Sequence, residues 1–306
     1  MIAFNRRLHG NKGTMSNTRR ILIATPLKGD IPKAYFQTSL QLATAKIENV
    51  KLDWVLLDGP AIMQARNEIV GYAFDHKFDE IIWWDKDVVA DVDGNNQTAA
   101  ALLRLMAHDV DMVCGVYSTR SLETHWHMEL IAGEEPNANG LQKVKRSAIG
   151  FSKIKMSVFK AIMDKNPDRM GTLVDPLKAP KPLFEFFPMG LQGPNTAEGR
   201  LAKIREEIDR WQNKDISSEV AMNLVVRNAT IKFDQPSYFA SEDYWFCDLA
   251  REAGIPIHID TMLILGHQGK AVFPITTPRL LEILSEPWRK EELAALKAKI
   301  AQAQRQ

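Results

Sequence analysis

Cysteine is almost missing from this chain. Only Cys114 and Cys247 occur in 306 residues, each in an apolar context. Two are too few for a disulfide framework and match no thiolate metal spacing, which points to a reducing cytoplasm. Long apolar runs are missing too. Nothing approaches the roughly 18 to 20 apolar residues that a membrane span requires. The charged N-terminus lacks the apolar stretch of a secretion signal, so a soluble, unprocessed chain is expected, with Met15 as an alternative start. Net charge is nearly absent: 39 basic residues against 38 acidic ones give +1, which excludes a general demand for nucleic acid or an acidic membrane.

What is present suits a globular core, with 45% hydrophobic and 25% charged residues. The charge is unevenly placed. Arg6, Arg7, Lys12, Arg19 and Arg20 face no acid in the first twenty residues, and the segment from Arg289 to Gln306 is also net basic. Residues 1–19 carry no periodicity and read as a flexible basic arm.

From Arg20 the pattern becomes regular. An apolar strand to Thr25 is followed by helical spacing over 39–47, a strand over 51–57, and a helix from Pro60 to His76. The strand Glu80 to Trp84 comes next, then a helix over 97–108 and a strand over 112–117. Alternating strands and helices predict an α/β fold, whose ligands gather at the carboxyl ends of its strands. Further strands are expected over 125–131 and 147–155, with Ser157 capping a helix to about Lys165. Pro176, Pro180, Pro182, Pro188 and Pro194 break up residues 166–198 as a loop or lid. An amphipathic helix over 199–214 follows, with Leu201, Ile204, Ile208 and Trp211 on one side, expected to pack on the core. A helix from Ser241 to Gly254, a strand over 255–260, and helices around 278–285 and 288–304 complete the reading.

Asp85 and Asp87 are separated by one residue. At an extended strand end both side chains share a face and can address one cation, such as magnesium or manganese. Their placement after the apolar Glu80 to Trp84 and before Val88 and Val89 interrupts a buried run, and a polar pair there needs a reason. His125, His127 and Glu129 also share a strand face, yet no fourth ligand is spaced to complete a zinc site, so a polar strand face is the expectation.

Five segments in order resemble the GT-A glycosyltransferases, especially small bacterial and phage members. They are ILIATP at 21–26, MQARNEIV at 63–70, IIWWDKDV at 81–88, SAIGFSKIK at 147–155, and SEDYWFCDLAREAGIPIHID with LGHQG at 241–269. The resemblance spans roughly residues 20–270. It implies a Rossmann-like mixed sheet flanked by helices, with a nucleotide-sugar half over 20–120 and an acceptor half over 121–270. The latter would carry a helical and loop insertion at about 166–235, and residues 271–306 would form a C-terminal helical extension.

The same resemblance assigns roles. Thr25 and Pro26 would lie at the nucleotide base and Arg66 at the base or diphosphate, which suits a guanidinium fork. Asp87, Asp85 and His267 would hold Mn2+ or Mg2+, Asp85 also touching the ribose. Glu242 and Asp243 would open the helix beneath the acceptor, with Asp243 as the base of an inverting enzyme; acids in a first helical turn also complement the backbone dipole. Gly150 would admit donor sugar or acceptor to the backbone. Trp84, Tyr117, Tyr244 and Trp245 would stack on sugar or base.

The implied reaction moves a hexosyl or pentosyl group from a nucleotide-diphosphate sugar, most commonly a uridine one, to an acceptor hydroxyl. The acceptor is a hydroxymethylated pyrimidine in phage DNA, for which the basic ends speak, or an envelope glycan or small molecule. From another class, the aspartates would serve a nucleotidyltransferase or a non-catalytic nucleotide-sugar-binding protein. The former lacks a glycine-rich basic loop, since PLKGDIP offers a single Lys28-Gly29.

Overall fold

The computed structural model describes residues 2–4, 18–59, 61–92, 95–117, 127–173, 180–192, 196–230, 238–263, 265–268 and 272–274. The first stretch contributes a short strand, β1 (Ile2–Phe4), and the remainder of the expected N-terminal arm up to residue 17 lies outside the described residues. Then come β2 (Arg19–Leu27), α1 (Lys33–Thr44), β3 (Val50–Asp58), α2 (Ile62–Asp75) and β4 (Glu80–Trp84). Three two-residue strands follow: β5 (Val88–Val89), β6 (Asp91–Val92) and β7 (Asn95–Asn96). Next are α3 (Thr98–Ala107), β8 (Met112–Gly115), β9 (Met128–Leu130), β10 (Leu141–Ser147), β11 (Phe151–Lys155) and α4 (Met156–Lys165).

β12 (Met170–Leu173) and β13 (Lys181–Phe184) pair with each other, and β14 (Gly190–Gln192) pairs with β15 (Tyr238–Ala240). Between these last two lie α5 (Ala197–Gln212) and α6 (Ser218–Thr230). The chain continues through α7 (Glu242–Glu252), β16 (Ile257–Asp260), β17 (Gly266–Gln268) and β18 (Val272–Pro274).

One nine-stranded mixed sheet organises the molecule, in the order β1-β3-β2-β4-β11-β8-β16-β10-β9. β2 runs parallel to β3 and β4, and β8 parallel to β16; β11 lies antiparallel between β4 and β8. Successive residues point to opposite faces, so Leu22, Ala24, Ile81 and Trp83 enter one core layer while Ile21, Ile23, Ile82 and Trp84 enter the other. Both faces are covered, which is why β2 and β4 read as unbroken apolar runs. Side chains of α2, α4 and α7 fill the first layer; those of α1 and α3 fill the second.

Several expectations need correction. The predicted strand over 147–155 is two strands, β10 and β11, with Ala148 to Gly150 turning between them. Ser157 does not cap: β11 runs directly into α4, and Lys155 occupies the N-cap position. α6 was hidden by its Val, Asn and Thr content, which favours other conformations. The α5 stripe does not pack on the core. Leu201, Ile208 and Trp211 are 50%, 37% and 46% exposed, and α5 rests on α6 instead. The expected C-terminal helices lie outside the described residues.

Candidate functional site

The carboxyl end of β4 delivers Asp85 to the middle of the sheet. There its backbone N–H donates to the Gly150 carbonyl at 2.7 Å, and its own carbonyl accepts from Val88 N at 3.0 Å. The chain thus makes a tight turn through Lys86 and Asp87 and re-enters extended structure as β5. β5 pairs antiparallel with β17 in a register that sets His267 opposite Val88. Asp87, one residue earlier, meets that imidazole: His267 Nε2 and Asp87 Oδ2 are 3.5 Å apart.

From the opposite side, α7 begins with Glu242 and Asp243 in its first turn, and α2 supplies Arg66. Arg66 is only 1% exposed and joins the groups together. Its Nη1 binds Asp243 Oδ1 closely and lies 3.5 Å from Glu242 Oε1, while Nη2 lies 3.3 Å from Asp85 Oδ2. The guanidinium also sits over the rings of Trp83 and Phe187, at 5.7 and 5.8 Å. Burial alone would lower its affinity for the proton, but Asp243, Asp85 and Glu242 outweigh that and hold it firmly charged.

One guanidinium cannot balance what surrounds it. Asp85 and Glu242 still carry raised values: burial pushes the Asp85 carboxyl up to about 6, against the pull of Arg66 and with Asp243 and Glu242 adding to it. Burial also raises Glu242, followed by the charge of Asp243, with Arg66 opposing. Asp85 Oδ1 is buried without a hydrogen-bond partner. An orphaned carboxylate oxygen beside surplus negative charge is a position that a cation satisfies. By residue type, Asp85, Asp87 and His267 are donors that Mn2+ accepts, but among the described residues no three His, Cys, Asp or Glu side chains come together as a group that could hold a metal ion. Asp87 meets His267, and Asp85 turns toward Arg66.

Gly150 has a definite physical reason. A Cβ there would overlap Asp85 Oδ2 and the Tyr117 hydroxyl, so glycine admits these two side chains to the backbone. Tyr117 is buried, stands edge-on to His267 with centroids 5.4 Å apart, and has its hydroxyl raised by burial and then by Asp85 and Asp243. Asp243 Oδ2 accepts from Ile149 N at 3.3 Å, which ties α7 to the same turn.

Other expected contacts fall elsewhere. Thr25 does not present its side chain to a ligand: it is fully buried, donating to the Trp84 carbonyl at 2.7 Å and sharing a 2.6 Å hydrogen bond with Tyr35. Pro26, the next residue, is half-buried. Trp84 is likewise enclosed, stacked on Tyr35 at 3.9 Å and donating from Nε1 to the Val88 carbonyl, so it braces the turn. Trp245 is buried under the Arg169 guanidinium. Tyr244 is half-buried beside Arg146, with its hydroxyl pushed up to about 12 by burial. Asn67 braces a loop, accepting from the backbone N–H groups of Phe186 and Phe187 at 2.9 and 3.2 Å. Arg66 meets carboxylates where a diphosphate was expected. Of the His125, His127 and Glu129 face, His125 lies outside the described residues, and Glu129 pairs with Lys145 and Arg146.

Two residues beside the site escaped sequence reasoning. Lys86 donates from Nζ to the carbonyls of Lys28 and Asp30, the latter at 2.7 Å, closing the loop after β2 against the aspartate turn. Its place between Asp85 and Asp87 was the available signal. Tyr35 supports both Thr25 and Trp84 from the first turn of α1, which begins at Lys33, ahead of the helical spacing expected over 39–47.

No family model matches the chain, and no curated protein matches it. The solved crystal structure of A197 from STIV is similar over 46% of this chain and 67% of that one, at 17% identity and a TM-score of 0.34. Likeness of that degree carries no argument about either fold or chemistry.

Proposed function

We propose that this chain is a metal-dependent glycosyltransferase of the GT-A type, moving a sugar from a nucleotide-diphosphate donor, such as a uridine one, to an acceptor hydroxyl. The observation that carries the proposal is the clustering of Asp85, Glu242 and Asp243 around buried Arg66, with Asp85 Oδ1 left unpartnered at the carboxyl end of a central strand. Open α/β sheets bind ligands at that edge, and carboxylates in excess of their one cation favour a site completed by a divalent ion and a diphosphate.

Asp85, Asp87 and His267 would hold that ion. When bound, it supplies Lewis-acid stabilisation of the diphosphate as leaving group. The chain's own residues do the rest. Asp243, in the first turn of α7, would take the proton of an acceptor hydroxyl. Arg66 and the Ile149 N–H keep that carboxylate oriented. Tyr117 and Gly150 form the wall behind Asp85.

A donor-hydrolysis assay tests the reading. Manganese-dependent release of nucleoside diphosphate from a sugar donor, lost in Asp87→Asn, is the expected result. Pyrophosphate release from a nucleoside triphosphate with a sugar phosphate would overturn it in favour of a nucleotidyltransferase, and donor binding without turnover would leave a binding protein. Acceptor class is separated by salt. Transfer to hydroxymethylated DNA should weaken steeply as salt rises, because counterions are released when phosphates are neutralised; transfer to a glycan should not.

A further inference from the structure

Between β10 and α7 lies a cluster that the reaction above leaves unused. Arg146, on β10, is clamped by α7: its Nε and Nη2 donate to the two carboxylate oxygens of Asp248 at 2.8 and 2.6 Å. Its Nη1 donates to Glu129 at 3.1 Å, and Nη2 also meets the Tyr238 hydroxyl closely. The guanidinium stands over the rings of Tyr238 and Tyr244, 5.2 and 5.7 Å from their centroids. Gln192 holds the same hydroxyl. Its amide nitrogen donates to Tyr238 Oη at 2.6 Å and to Asp248 at 3.2 Å, while its oxygen accepts from Trp245 Nε1 at 3.0 Å. Tyr238 is therefore fixed, yet it stays 42% exposed, and Phe239 beside it 65%. A ring pinned in water loses little further freedom when a ligand covers it.

This stack adjoins Asp243. Tyr244 follows it directly, and Asp248 stands further along the same helix by about 7.5 Å of rise. The pairing of β9 with β10 sets Glu129 opposite Arg146, and the His127 carbonyl accepts from Ala148 N at 2.7 Å. His127 and Glu129 share a strand face, so His127 also lies toward α7. Its imidazole is lowered by burial, with the charge of Asp243 opposing.

Charge decides the occupant. Every nitrogen of Arg146 is already engaged, so it offers no fork to a phosphate. Lys145 is paired with Glu129 at 2.5 Å, and Arg251 with Asp248 at 3.5 Å. Beyond them stand Glu242 and Asp243. Among the described residues of this flank the bases are spent on acids, which opposes a nucleic-acid backbone and suits an uncharged ring. A pyranose has the matching form. Its apolar C–H face lies on an aromatic ring, and its rim hydroxyls meet polar groups such as Glu129 and His127.

We infer that Tyr238 is the platform of an acceptor subsite, on which an uncharged sugar ring of a glycan stacks along α7 from Asp243. Its role as an acceptor subsite rests on the transferase reading; its capacity to hold a sugar does not.

Saturation-transfer difference NMR on the full chain, without donor or metal, tests it with maltose, cellobiose, lactose and chitobiose at millimolar concentration. Ring C–H protons of these sugars should take up saturation, and Tyr238→Ala should weaken the binding about tenfold. Tyr238→Phe keeps the ring under Arg146 and should keep the signal, which separates stacking from loss of fold. A bare ring face is tolerant of linkage, so silence across all of these sugars overturns the proposal. Signals indifferent to Tyr238→Ala, or lost equally in Tyr238→Phe, overturn it too. So does an oligonucleotide carrying hydroxymethylcytosine that displaces the sugars through Tyr238. Donor hydrolysis by the wild type is read separately: sugar binding without it removes the reaction and leaves the sugar site, whereas hydrolysis without sugar binding does the reverse.

Discussion

Gly150 and Asp85 meet backbone to backbone and side chain to backbone: the Asp85 N–H donates to the Gly150 carbonyl, and the Asp85 carboxylate occupies the space where a Cβ of residue 150 would stand. Gly150→Ala must therefore displace Asp85 or Tyr117. It should cost about 1–3 kcal/mol of stability, as overpacking does, and should abolish turnover of a sugar donor. Urea denaturation and the donor-hydrolysis assay read the two effects separately. A stable, fully active Gly150→Ala protein would contradict the close approach.

Arg66 is the cation on which three carboxylates depend. Arg66→Met leaves Asp85, Glu242 and Asp243 facing one another and should cost about 3–5 kcal/mol. Arg66→Lys keeps a charge but loses the fork, and should fall between the two in chemical denaturation.

Asp87 and His267 are partly exposed, and neither carries the core. Asp87→Asn and His267→Ala should leave metal-free stability within about 0.5 kcal/mol of wild type. They should remove the rise in Tm that manganese gives the native protein, a rise equivalent to about 2.7 kcal/mol at a hundredfold excess over Kd. A wild-type Tm that ignores manganese would exclude the metal site.

Thr25→Val tests whether this position serves the fold or a ligand. Losing the hydroxyl leaves Tyr35 and the Trp84 carbonyl short of a partner and should cost about 1–3 kcal/mol. Donor affinity measured on the folded protein should be unchanged.

Glu80 gives a pH dependence away from the site. It is buried 3.7 Å from Arg19, one of its oxygens lacks a partner, and burial raises its carboxyl despite the opposing charges of Lys153 and Arg19. Its folded value thus lies above the ordinary one of about 4.3, so the native state binds the proton more tightly than the unfolded chain. Stability is therefore lost as pH rises through that window. The urea midpoint of wild type should fall relative to Glu80→Gln as pH rises above the ordinary carboxylate value of about 4.3. A constant difference would show that Glu80 ionises alike in both states.

The strands carrying the site were legible because burial on both faces writes itself into the sequence as runs such as Ile21 to Ala24 and Ile81 to Trp84. Asp85 stood out by interrupting such a run. Arg66 and Asp243 were reached only through the family resemblance, because they lie on helices whose approach depends on packing and not on local pattern. Thr25 and Trp84 were misjudged for a related reason: proximity in sequence to a site says nothing about which face of a strand a side chain takes. The break at Ala148 to Gly150 was missed because Ala148 and Ile149 are themselves apolar and buried, so the turn reads as a continuation of β11. α5 was periodic enough to identify, yet periodicity does not reveal whether the partner for an apolar stripe lies within the same molecule.

Pairing of β5 with β17 joins the strand that leaves the aspartate turn to a segment far along the chain. During synthesis Asp87 leaves the ribosome long before His267 does, so their contact cannot exist in a growing chain until residues 266–268 have emerged and found β5. If the two hold manganese as proposed, affinity for that ion, followed on stalled chains of increasing length, is a clock for the completion of the domain.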